Sequence, residues 1–285
     1  MTLVGAAITP HPPIIVPEIG GGRESEAVKT VHAMRELSSL AAAVEPDVFV
    51  LLSPHAPIST TRMSVGVAGR YEGGLEQFGS FGVNLAFDGD VELAEGIIRE
   101  SLDRGVRAHP LGAPAEAMEL DHGAVVPLYF LTQPMAHTPR LVLLSFSFEG
   151  PAAHLDFGAA IGAAIESHRA RVVFVASGDL SHRLVPGAPA GYSPEGEEFD
   201  RRVAEAVAQG SPEALLSIPR EMIEAAGECG YRSLLVLFGL LGGQEFRSRL
   251  LSYEGPFGVG YLVAWISPVH RQKGVESPAG APRGY

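Results

Sequence analysis

The sequence predicts an α/β fold with a largely parallel sheet, and two observations carry the expectation. Residues 3–8, 48–52 and 172–176 are apolar runs of strand length without the polar alternation of a half-exposed strand, the pattern of parallel strands covered on both faces. The stretch 23–44 carries Val28, Val31, Met34, Leu37, Leu40, Ala41 and Val44 at helical spacing, so that strand, helix and strand make a βαβ unit. At 285 residues, 46% hydrophobic and 19% charged, the chain suffices for one α/β domain or two small ones.

The first apolar run ends in Pro10-His11-Pro12-Pro13. Proline gives a ladder no amide hydrogen and holds φ near about −65°, so the strand stops and His11 stands on stiffened backbone at its carboxyl end. In open α/β sheets that edge is where ligands bind. The second run, bracketed by Pro46 and Pro54, delivers His55 in the same way, between Pro54 and Pro57. A lone turn histidine is most often inert. Two on one construction suggest two ligands brought to one edge, the first half of a metal site.

Further along, residues 63–68 read as a strand, 69–82 as a glycine-rich loop with room to move, 83–87 as a short strand, 90–103 as a helix capped by Asp90, and 106–111 as a short edge strand. Asp121 and His122 stand just ahead of an apolar segment that reads as a helix N-terminus. Asp121 is a candidate cap, and the positive end of the dipole keeps His122 neutral, either as a functional ring or as a plain capping residue. A strand over 141–146 and a helix over 152–169 follow. The third apolar run turns through Ser177-Gly178 and presents Asp179 and His182 at the same edge, Asp179 orienting the His182 ring or capping a helix.

Residues 183–196 contain Pro186, Gly187, Pro189, Gly191 and Pro194 and read as a lid-like loop, followed by helices over 199–209 and 212–218. Glu228 lies between Gly227 and Cys229-Gly230, ahead of an apolar helix over 234–241. It reads either as a carboxylate ligand, with Glu224 as its rival, or as a first-turn acid favoured by the helix dipole. Cys229, with no basic neighbour to lower its pKa, reads as a small buried apolar residue. Residues 258–266 are the last strand, and the Gly-, Pro- and Arg-rich segment 271–285 reads as a flexible tail to a domain over 1–270.

A formal charge of −12 argues against nucleic acid or an anionic membrane as partner. The single cysteine excludes an intrachain disulfide and a cysteine-built zinc site, which leaves imidazole and carboxylate to hold any metal. Without a signal peptide or an apolar run of spanning length, the expected location is the cytoplasm. Two neutral imidazoles and one carboxylate on a divalent ion leave open positions on one face, the facial arrangement of non-haem Fe(II) enzymes. No phosphate loop occurs and no serine triad suggests itself.

The ordered set PHPP (10–13), SPHAP (53–57), LDHG (120–123), SGDLSH (177–182) and GECG (227–230) resembles the class III extradiol ring-cleavage dioxygenases, the superfamily of the protocatechuate dioxygenase catalytic subunit, over residues 3–266. The resemblance implies a single three-layer α/β/α sandwich with a mixed, largely parallel central sheet. It implies His11, His55 and Glu228 as ligands of Fe(II), with Zn(II) or Mn(II) as alternatives, His182 as the active-site acid/base, and His122 beside O2 and a substrate hydroxyl. The implied reaction opens a catechol-type ring next to its diol with O2 as cosubstrate, in aromatic catabolism, with a homodimer as the expected assembly. Memo-like proteins share the scaffold with an altered site, and a zinc hydrolase using the same ligands is a further alternative. Loops 69–82 and 183–196 would set the substrate.

Overall fold

The computed structural model describes residues 3–269, so the expected tail lies outside the described residues. The first half of the chain runs β1 (Leu3–Thr9), α1 (Pro17–Gly20), α2 (Val28–Ala43), β2 (Val48–Leu52), β3 (Met63–Gly66), β4 (Arg70–Leu75), β5 (Ser80–Asp88), α3 (Val91–Asp103), β6 (Ala108–Leu111), β7 (Ala117–Glu119), α4 (His122–Thr132) and β8 (Arg140–Ser145). The second half runs α5 (Pro151–Ser167), β9 (Val172–Ser177), α6 (Glu195–Gln209), α7 (Pro212–Leu216), α8 (Arg220–Ala226), α9 (Tyr231–Leu241), β10 (Phe246–Glu254) and β11 (Tyr261–Pro268).

Eight strands form a mixed sheet in the order β10-β11-β1-β9-β2-β8-β3-β6. Its centre, β1-β9-β2-β8, is parallel, and β11 and β10 add antiparallel strands at one side. Side chains alternate across the sheet and build two cores. Val48, Val50 and Leu52 of β2 pack with α3, α5, α6 and α9, whereas Phe49 and Leu51 pack with α2 and α4, which makes the three-layer α/β/α sandwich. β1 and β2 are not neighbours, although a helix joins them. β9 lies between the two, with Thr9 level with Ser177 and Leu52 level with Ala176.

Three departures from the sequence expectations have local causes. The glycine-rich segment 69–82 contains β4, which pairs with β5 and β7 in a separate three-stranded sheet, because Tyr71 and Leu75 are buried in alternation and the glycines between them serve packing. A Cβ on Gly73 would stand 2.7 Å from the backbone of Leu120. Asp121 precedes α4, but its side chain makes no cap hydrogen bond and accepts instead from Ser53 Oγ at 2.6 Å. β10 was unpredicted because its polar edge-strand pattern, with Arg247 and Arg249 outward, lacks a continuous apolar run.

Helices α5 and α9 meet backbone to backbone. A Cβ on Gly158 would lie 2.0 Å from Val236 O, and one on Gly239 would lie 2.1 Å from Leu155 O, contacts that no rotamer change relieves. Gly158→Ala is therefore expected to cost about 2–4 kcal/mol in urea unfolding. Gly150→Ala, into open space at the start of α5, is expected to stay within about 0.5 kcal/mol of wild type.

Candidate metal centre

The level register of β1, β9 and β2 places the residues just past their ends side by side. His11 is two residues beyond Thr9, and Asp179 two beyond Ser177. The His11 amide donates to Asp179 Oδ1 at 2.9 Å. His55, three residues beyond Leu52, brings its Nε2 to 3.0 Å from His11 Nε2. The third ring comes from the other core: α4 begins at His122, which stacks on His55 with ring centroids 4.2 Å apart and planes at 29°. The three imidazoles offer ligand atoms all within 4.8 Å of one another.

Two serines that sequence reasoning missed hold this edge together. Ser177 Oγ donates to Gly123 O at 2.6 Å, which uses its one hydrogen, so at 2.9 Å it accepts from His11 Nδ1. That bond assigns the proton of neutral His11 to Nδ1 and turns a bare Nε2 toward His55. Ser53 Oγ accepts from the His55 amide at 3.2 Å while donating to Asp121, which ties the β2 end to the start of α4. Gly123 permits the approach, since a Cβ there would sit 2.5 Å from Ser53 Oγ. The available signal was a serine as the last strand residue or the first beyond it, common enough to pass unnoticed.

Burial first, then the neighbouring His55 and His122 rings, lowers the pKa of His11 well below the ordinary value. Burial likewise lowers His122, so both rings are neutral near pH 7. A divalent ion fits this donor set. Nitrogens about 2.1 Å from one ion and at right angles to each other stand about 3.0 Å apart, the separation of the two facing Nε2 atoms. The His182 Nδ1 is buried with no hydrogen-bond partner among the described residues. The backbone of His182 is pinned by its amide to Ala226 O at 3.1 Å.

The carboxylates stand differently from their sequence readings. Asp179 serves the His11 backbone, its Oδ2 lying 3.8 Å from His11 Nε2, and burial pushes its pKa up to about 6. Glu228, only 3% exposed, accepts the Tyr231 amide at 2.5 Å at the start of α9, with Arg232 Nη1 at 4.0 Å. Burial pushes its pKa up to about 7. The structure thus puts His11, His55 and His122 together and leaves Glu228 in the turn just ahead of α9, outside its first turn. Cys229, read as remote from any imidazole, has its Sγ 3.8 Å from His11 Nε2, because the chain beyond β1 lies against the 227–230 turn. Burial raises its pKa well above the ordinary thiol value.

A three-layer sandwich with a histidine centre at the carboxyl edge of its parallel strands defines a class of α/β proteins whose site suits a divalent metal. Residues 5–264 match the family described as the catalytic LigB subunit of aromatic ring-opening dioxygenase, and the chain belongs to that family. It is 33% identical over 270 residues to Protein CA_C1420 of Clostridium acetobutylicum, covering 92% of this chain and 57% of that one. The chain thus spans little more than half the length of this relative. It is 24% identical over 260 residues to 3,4-dihydroxyphenylacetate 2,3-dioxygenase of Escherichia coli, covering 87% and 93%. The crystal structure of uncharacterized protein JW3007 from Escherichia coli K12 shares the fold, with a TM-score of 0.62 at 17% identity, covering 92% and 99%. No helix among the described residues is long and apolar enough to cross a membrane.

Ser177→Ala would leave His11 Nδ1 and Gly123 O buried and unpaired. It is expected to cost about 1–3 kcal/mol in urea unfolding and to weaken metal binding about 10–100-fold in a competition titration. Behind the centre, buried Asp200 accepts from the Ser181 amide at 2.8 Å and Tyr253 OH at 2.7 Å, and burial pushes its pKa up to about 7 from 3.8. The folded state therefore keeps a proton that the unfolded chain releases, and stability falls as pH rises from about 4 to about 7. Asp200→Asn is expected to flatten that slope and to gain on wild type by roughly 1–4 kcal/mol between pH 5 and pH 8 in thermal unfolding of the metal-free protein.

Proposed function

We propose that the chain is a non-haem Fe(II) enzyme that opens the ring of a catechol-type diol beside its hydroxyls with O2. The observation that carries this reading is the pair of imidazole nitrogens, His11 Nε2 and His55 Nε2, that face each other 3.0 Å apart at the sheet edge, together with the buried His182 Nδ1, which lacks a hydrogen-bond partner among the described residues. Family membership supports it, as does the similarity to a relative named for dihydroxyphenylacetate cleavage. Bound Fe(II) would supply a Lewis acid for the diol and a meeting place for O2.

The residues of the chain have separable tasks in this reading. His11, fixed in its tautomer by Ser177, and His55, whose backbone amide donates to Ser53 Oγ, would hold the ion. Glu228, whose carboxylate accepts from the Tyr231 amide, would be the third ligand. His182 Nδ1 takes the proton that leaves a substrate hydroxyl and returns it to the opened product. His122 hydrogen-bonds the oxygen on which charge develops, held in position by its stack on His55. The Cys229 thiol beside His11 Nε2 favours a second reading, a site that retains a softer ion such as zinc for hydrolysis or for a Memo-like role without ring cleavage.

Anaerobically purified, Fe(II)-loaded protein is expected to consume O2 in step with yellow ring-opened product from a panel of catechols. His182→Ala should keep its iron and lose about 10²–10⁴-fold in kcat, whereas wild-type kcat would refute the acid/base role. His11→Ala and His55→Ala should lose the metal. Glu228→Gln should weaken metal binding while His122→Ala and Cys229→Ser retain it. Loss in either of the last two, with Glu228→Gln intact, would give that residue the third position. Zinc retained in preference to iron, with no O2 uptake, would favour the second reading.

A further inference from the structure

We infer that Phe78 is the wall against which the flat face of the substrate ring packs, so that the tip of the β4–β5 hairpin selects the rings admitted to the metal centre. The inference rests on the ring-cleaving function proposed above. The Phe78 ring lies 5.2 Å from the His122 ring at 65°. His122 stacks on His55, whose Nε2 faces His11 Nε2 at 3.0 Å. Phe78 thus flanks a triangle of three histidine rings, packing on its His122 corner.

Hairpin folding does not account for this side chain. Its neighbours on the tip, Glu76, Gln77, Gly79 and Ser80, are polar or glycine, and Phe78 belongs to neither apolar core among the described residues. It remains 38% exposed. Its place is nevertheless fixed, because residues 76–78 form a tight helical turn closed by Gly79, at φ 92°, whose amide donates to Glu76 O at 2.9 Å. A phenyl ring that meets His122 at a steep angle keeps part of its own surface open. Such a surface suits a planar, electron-rich diol: it offers dispersion and ring-quadrupole contact and places no charge near the oxygens that must reach the ion. Phe81, three residues on and 79% exposed, provides a built-in control for effects on the hairpin itself.

The test is an anaerobic titration of the full chain, loaded with Fe(II), with 4-nitrocatechol followed by its visible absorption, alongside metal content. Phe78→Ala is expected to bind about tenfold more weakly with metal content unchanged, Phe78→Tyr to restore binding, and Phe81→Ala to match wild type. The bulkier 3-phenylcatechol should lose less than 4-nitrocatechol in Phe78→Ala, because removing the wall opens space. Wild-type affinity in Phe78→Ala, or an equal loss in Phe81→Ala, would overturn the wall while leaving ring cleavage standing. No binding of either diol by the metal-loaded wild type would overturn the ring-cleaving reading and the wall with it.

Discussion

The register of β9 between β1 and β2 is the constraint on which the centre depends. Parallel pairing puts Thr9 level with Ser177 and Leu52 level with Ala176, so three chain ends emerge abreast at one edge. Each must then turn within two or three residues, and the prolines after β1 and β2 and the Ser177-Gly178 turn after β9 stop each strand where its functional residue can face the others. A shift of one residue in either pairing would exchange the two faces of a strand and carry its terminal side chains to the wrong layer. Burial of all five β2 residues against two different cores holds that register.

Electrostatics complete what register begins. Burial keeps His11 and His122 neutral, and neutral imidazole is the form that offers a lone pair. The same burial raises the carboxyls of Asp179, Asp200 and Glu228 toward neutrality, so the interior behind the rings carries less negative charge than its composition suggests. A divalent ion held by the rings would favour the ionised form of these acids again, by attraction between opposite charges.

Much of this was readable from the chain, and the unread part has a common cause. Continuous apolar runs gave away the parallel strands, and paired proline-fenced histidines gave away the edge at which the rings meet, because both are local patterns. Strand order was hidden, since nothing local says that β9 inserts between β1 and β2. At the turn over 227–230 the sequence offered Glu228, with Glu224 as its rival, and read Cys229 as a small buried apolar residue; which side chain faces His11 depends on the phase of a glycine-flanked turn. Glu228 stands three residues before the Tyr231 amide that donates to it, ahead of Gly230, the N-cap residue of α9. Cys229, its neighbour, gained an imidazole only through a contact 218 residues distant in sequence. Strand β4 passed as a loop because its glycines, of which Gly73 is needed for close packing on Leu120, resemble those of a flexible segment, whereas most of β5 was read as a strand.

The position of β9 also governs how the chain comes together in time. β1 pairs with β9 and β11, so during synthesis the first strand waits, without its sheet partners, until residue 172 and beyond have left the ribosome. The hydrogen bond from His11 to Asp179 closes a separation of 168 residues, a loop-closure step that places assembly of this region late on the folding route. Until then β2 and β8 can pair with each other, while the apolar β1 lacks both of its sheet neighbours. The metal centre is consequently among the last features to form, and a nascent or truncated chain ending before β9 has no place to hold an ion.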